Sequence, residues 1–99
     1  MCAAPEQSID LPPGTDIVSQ AVIQGRVLSG SDVVAGAHVR LLDRTGEFTA
    51  EVVASPEGSF RFYAGPGDWT VRALSRSGNG QSGVQTQYGV YSVDVLVGA

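Results

Sequence analysis

Ser55-Pro56-Glu57-Gly58-Ser59-Phe60-Arg61-Phe62-Tyr63-Ala64-Gly65-Pro66-Gly67-Asp68-Trp69-Thr70-Val71-Arg72-Ala73 alternates turns with extended segments, and this stretch decides the fold. Ser55-Pro56-Glu57-Gly58 is a turn signal, since Pro presets φ and Gly tolerates conformations that other residues avoid. Ser59 to Tyr63 then alternates with a period of two, placing Phe60 and Phe62 on one face and Arg61 on the other. Gly65-Pro66-Gly67-Asp68 turns the chain again. Trp69 to Ala73 repeats the alternation, with Arg72 outward.

The same grammar extends in both directions. Upstream, Val22 to Val27 reads as a strand with Ile23 and Val27 on one face, and Ser29-Gly30-Ser31-Asp32 is turn chemistry. Ala37-His38-Val39-Arg40-Leu41 alternates with Ala37, Val39 and Leu41 inward. Arg44-Thr45-Gly46 turns the chain into a strand over Phe48 to Val53. Downstream, Ser77-Gly78-Asn79-Gly80 reads as a flexible loop, followed by a weaker strand over Gly83 to Thr86 and a last one over Tyr91 to Val97. About seven short strands with a turn after each predict an all-β domain of two packed antiparallel sheets, a β-sandwich. Phe48, Phe60, Phe62 and Trp69 are expected in its core. The domain is expected over residues 21–99. Residues 1–20, with Pro5, Pro12, Pro13 and Gly14, are expected to form an extended N-terminal tail.

Composition agrees with one small globular domain: 99 residues, 42% hydrophobic, 16% charged and 13 glycines, the last favouring tight turns. A net charge of −4 argues against nucleic-acid binding, which needs a clustered positive surface. No apolar run approaches the roughly 18 residues of a membrane span. No basic-then-apolar secretory signal is visible, so a cytoplasmic location is expected. A single cysteine excludes an intramolecular disulfide.

That cysteine, Cys2, is the candidate reactive group. Removal of Met1 would expose an α-amine beside the thiol, and a protonated amine there favours the thiolate, the form that attacks sulfane sulfur. The plain alternative is an unused thiol at a terminus. Arg40, Arg61 and Arg72 point outward from their strands. On neighbouring strands they would form an anion or partner contact; otherwise they are solvated and paired with Asp43, Glu47 or Glu51. His38, the lone histidine, has no second histidine or cysteine nearby to complete a metal site. Glu47 and Glu51 share a strand face but stand about 13 Å apart, too far for a glycosidase carboxylate pair. No metal, cofactor or catalytic set is expected from these residues, and an independent enzyme is the least supported reading.

Ile23-x-Gly25-x-Val27, Gly36-Ala37-x-Val39-x-Leu41, Ser55-x-x-Gly58-x-Phe60-x-Phe62 and Pro66-Gly67-x-Trp69-Thr70-Val71 resemble the carboxypeptidase regulatory-like, or prealbumin-like, β-sandwich, an Ig-like architecture. More specifically, Met1-Cys2, Val39 to Asp43, Glu47 to Val52, Phe60 to Phe62 and Trp69 to Leu74 resemble the small actinobacterial family of SseC-type sulfur-metabolism proteins. The resemblance covers nearly the whole chain. It implies a neighbouring, rhodanese-like thiosulfate sulfurtransferase as partner. An accessory or sulfur-carrier role then follows, with Cys2 as persulfide acceptor and the sandwich as docking body. The alternative is a non-catalytic binding module that regulates or stabilises a partner protein.

Overall fold

A computed structural model of the chain describes residues 21–98. The expected 1–20 tail, and Cys2 with it, lie outside the described residues. Nine strands form two sheets: β1 (Ala21–Ser29), β2 (Asp32–Val33), β3 (His38–Leu42), β4 (Phe48–Val53), β5 (Ser59–Ala64), β6 (Gly67–Ser75), β7 (Gly78–Thr86), β8 (Gly89–Ser92) and β9 (Val95–Leu96). The first sheet is centred on β1, which pairs antiparallel with β2 and β5 and parallel with β8 and β9. The second is antiparallel throughout, in the order β4-β3-β6-β7.

The two sheets close over the residues that alternation places inward. Ile23, Val27, Val39, Phe60, Val71, Ala73 and Val95 are completely buried, with Leu41, Phe62 and Val97 nearly so. Burying a side chain of this kind contributes roughly 1.5–3 kcal/mol, so this layer carries most of the stability of so small a domain. Trp69 packs at its margin, and its indole Nε1 donates to the Gly65 carbonyl at 3.0 Å.

The sandwich architecture is as expected, and four details differ. The last expected strand splits into β8 and β9 at Val93-Asp94, and both run parallel to β1, so the first sheet is mixed and not wholly antiparallel. The split is anchored by Val93 N donating to the Gln24 carbonyl at 2.8 Å and Arg26 N donating to Asp94 Oδ1 at 3.2 Å. Asp32–Val33 adds a short strand against the end of β1. Ser77 to Gly80 is not a loop: β6 and β7 are paired to their ends as a hairpin, with Arg76-Ser77 at its tip. Gly78, at φ +126°, lets the chain turn that tightly, a conformation other residues rarely adopt. Finally, Phe48 is 61% exposed and is not a core residue. The pairing of β3 with β4 shifts between Leu41 and Leu42, so Phe48 faces Leu42, and the edge strand turns its ring outward.

Candidate functional site

Alternation sends every second residue of the four-stranded sheet to its outer face, and strand pairing aligns those residues into rows. One row reads Glu51–Arg40–Arg72–Gln81 across β4, β3, β6 and β7. The next reads Val53–His38–Leu74–Asn79. Arg40 and Arg72 are therefore direct cross-strand neighbours. Arg61, on β5, belongs to the other sheet, where its Nε donates to Gln24 Oε1 at 3.1 Å. Of the three candidate arginines only Arg40 and Arg72 share a sheet face, because a β-sandwich sends the outward residues of its two sheets in opposite directions.

The row is organised by one carboxylate. Glu51 Oε1 accepts from Arg40 Nε at 2.9 Å, and Glu51 Oε2 meets His38 Nδ1 at 3.0 Å. The hydrogen bond from His38, and then that from Arg40, hold the Glu51 carboxyl below its ordinary pKa. Arg72 has a neutral partner instead: its Nε and Nη2 donate to Gln81 Oε1 at 3.1 and 3.0 Å. His38 is thus exposed, as expected, but held in place by Glu51.

Of the three carboxylates expected to neutralise arginines, only Glu51 does so among the described residues. Asp43 is spent inside its own turn, where Oδ1 accepts from the Thr45 hydroxyl, from Thr45 N at 2.8 Å and from Glu47 N at 3.1 Å. Its carboxyl is held low chiefly by the Thr45 hydroxyl. The Glu51–Arg40–Arg72–Gln81 row therefore carries two guanidinium groups against one carboxylate, in a chain whose net charge is −4.

Beyond the second row, the loop Val34-Ala35-Gly36 and the tip Ser75-Arg76-Ser77 frame an open cleft of about 580 Å³ over His38, Leu74 and Asn79. Gln81 and Arg76 were not marked by the sequence: a polar residue in a Gly- and Ser-rich stretch and an arginine beside a turn have no pattern of their own. Only pairing β6 with β7 to their ends puts Gln81 opposite Arg72 and leaves Arg76 at the hairpin tip. Among the described residues, no cluster of three His, Cys, Asp or Glu side chains is placed to hold a metal ion.

Residues 2–97 match the family described as a protein of unknown function, DUF1416. Uncharacterized protein Rv0814c of Mycobacterium tuberculosis is 52% identical over 99 residues, covering 98% of this chain and 99% of that one. An uncharacterized protein of Mycolicibacterium smegmatis is 57% identical over 89 residues, covering 88% and 99%. Among solved structures, the 5-hydroxyisourate hydrolase of Klebsiella pneumoniae aligns with TM-score 0.63 at 16% identity, covering 79% of this chain and 90% of that one. BcpA, the major pilin subunit of Bacillus cereus, aligns with TM-score 0.66 at 10% identity over 81% of this chain, which spans only 30% of the pilin's length. At such identities these likenesses concern the prealbumin- and pilin-like sandwich alone.

Proposed function

This chain belongs to the DUF1416 family, and from the resemblance of its motifs to SseC-type proteins we propose that it is an accessory protein of sulfur metabolism that carries sulfane sulfur for a rhodanese-like thiosulfate sulfurtransferase. The observation that carries the docking half of this reading is the Arg40–Arg72 apposition. A row with two guanidinium groups and one carboxylate suits an acidic patch on a protein surface, and the guanidinium groups there would exchange water for carboxylate partners on docking.

Cys2 supplies the chemistry. The sulfurtransferase carries a persulfide on its own cysteine after taking the outer sulfur of thiosulfate and releasing sulfite. The Cys2 thiolate attacks the outer sulfur of that persulfide. Its S–S bond breaks, a new S–S bond forms on Cys2, and the sulfurtransferase cysteine leaves as thiolate. Redox state is conserved overall, so no further oxidant or reductant is needed.

The test combines the untagged full chain with the sulfurtransferase and thiosulfate, followed by intact mass under non-reducing conditions. The expected result is loss of Met1 and a gain of one sulfur atom that disappears in Cys2→Ser. An unmodified Cys2 beside an active sulfurtransferase overturns the carrier role. The same face supports a second reading, a non-catalytic module that regulates or stabilises its partner. Under it, Cys2→Ser is silent and Arg40→Glu or Arg72→Glu weakens binding.

A further inference from the structure

We propose that the cleft between the Val34–Gly36 loop and the Ser75–Ser77 hairpin tip binds a small organic oxyanion, such as a phosphate monoester or sulfonate, with Arg76 as its counter-charge. The site involves neither Cys2 nor the Arg40–Arg72 pair, so it stands or falls apart from the carrier reading.

Its wall chemistry is asymmetric. Val34, Ala35 and Leu74 offer apolar surface, whereas Arg76, Ser77, Asn79 and His38 offer polar groups, and no lining residue is a carboxylate. Arg76 forms no ion pair or side-chain hydrogen bond among the described residues. A cation left unpaired beside a concave surface, in a chain with net charge −4, is the arrangement that admits an anion and selects against a cation. His38 adds a second polar contact. Glu51 occupies its Nδ1, which fixes the ring and leaves Nε2 without a protein partner among the described residues. With Nδ1–H donating to Glu51, Nε2 accepts the hydroxyl proton of a monoprotonated phosphate; in the imidazolium form it donates to the oxyanion.

The volume decides between an inorganic and an organic ligand. About 580 Å³ falls within the range of small-molecule clefts, and a bare tetrahedral oxyanion would leave the Val34 and Leu74 side unfilled. A short apolar body on the oxyanion covers that side. The frame is also rigid. Ser75 Oγ donates to the Gly78 carbonyl at 2.9 Å and accepts from Ser77 N at 3.1 Å, so the tip that carries Arg76 is braced on both sides. Behind it, a side-chain carbon at Gly78 would lie 2.7 Å from the Gly98 backbone, so the hairpin turn packs directly on the last described residues.

The test is a titration of the isotopically labelled full chain with n-butyl phosphate, followed through its amide spectrum, with n-butanol and inorganic phosphate as controls. Saturable shifts confined to Gly36, His38, Ser77, Asn79 and their neighbours are expected. Inorganic phosphate should bind more weakly than butyl phosphate, and butanol should produce no saturable shift. Arg76→Gln should weaken butyl phosphate by about tenfold or more, the scale of one charge-assisted contact, and Arg76→Lys should recover part of it. The absence of saturable shifts, or an affinity unchanged in Arg76→Gln while the rest of the spectrum stays native, overturns the site. Equal affinity for inorganic and butyl phosphate overturns the organic body, and equal binding of butanol overturns the anion.

Discussion

Arg40 and Arg72 lie directly opposite one another in the β3–β6 ladder, and only Arg40 has a carboxylate beside it. Like charges facing across a ladder cost stability. A fold that keeps such a pair at the centre of an open sheet face holds a surface that gains energy when an anionic group arrives. The same sheet would be more stable in isolation with the pair neutralised.

Arg72→Glu should therefore stabilise the free chain while damaging its docking. Replacing a like-charge pair by an opposite one is worth about 0.2–1 kcal/mol across strands. Urea unfolding should show the midpoint moving up, and under the proposed carrier role binding to a thiosulfate sulfurtransferase should weaken at low salt. A variant that loses both stability and binding would mean that the pair is part of the scaffold.

Two phenylalanines with similar sequence surroundings should behave oppositely. Phe60 is completely buried and packs near Phe62, with ring centroids 6.0 Å apart, so Phe60→Ala should cost about 3–5 kcal/mol and leave little folded protein. Phe48→Ala, on the edge strand with 61% exposure, should change stability by no more than about 0.5 kcal/mol. Equilibrium unfolding of both variants separates them directly.

That contrast separates what is legible in the sequence from what only the strand pairing decides. Alternation placed Phe60, Phe62, Val39, Leu41, Val71 and Ala73 correctly, because side-chain period is a local property of extended backbone. It misplaced Phe48 because a register shift on the neighbouring strand is a property of the pair, with no local signature. The outward direction of Arg40, Arg61 and Arg72 was legible, but sheet membership was not. Which strands share a sheet depends on long-range pairing, and it separates Arg61 from the other two. The parallel return of β8 and β9 alongside β1 was hidden for the same reason. Arg76, next to the segment read as a loop, carries no pattern of its own, and only the hairpin places it at the rim of the cleft.

Gly25 should tolerate no side chain, and the reason is the neighbouring strand. Its φ is not in the left-handed region, yet a Cβ there would overlap the Val93 carbonyl. Val93 sits at the split between β8 and β9, so the displacement would propagate into both parallel pairings. Gly25→Ala should cost about 3 kcal/mol, at the upper end of overpacking effects. Gly65→Ala, with open space around it and an ordinary φ, should be neutral or stabilising by up to about 1 kcal/mol. Denaturant midpoints of the two variants distinguish steric approach from a general intolerance of substitution at glycine.

The Glu51 carboxylate should make this sheet face acid-sensitive. Its folded pKa lies below the ordinary 4.5, held there by the hydrogen bonds from His38 and then Arg40. The unfolded chain takes up a proton at about 4.5 while the folded chain still resists it, so the unfolded state binds more protons in that window and stability rises with pH. The contribution is complete above the ordinary value and disappears as pH falls through the lowered one. In Glu51→Gln that dependence should vanish. Urea unfolding at about pH 6.5 should therefore show the native chain ahead of the variant, and the gap should narrow at about pH 3.5. A gap that stays constant between those two conditions would mean that Glu51 contributes packing to the sheet face, with no part in its charge balance.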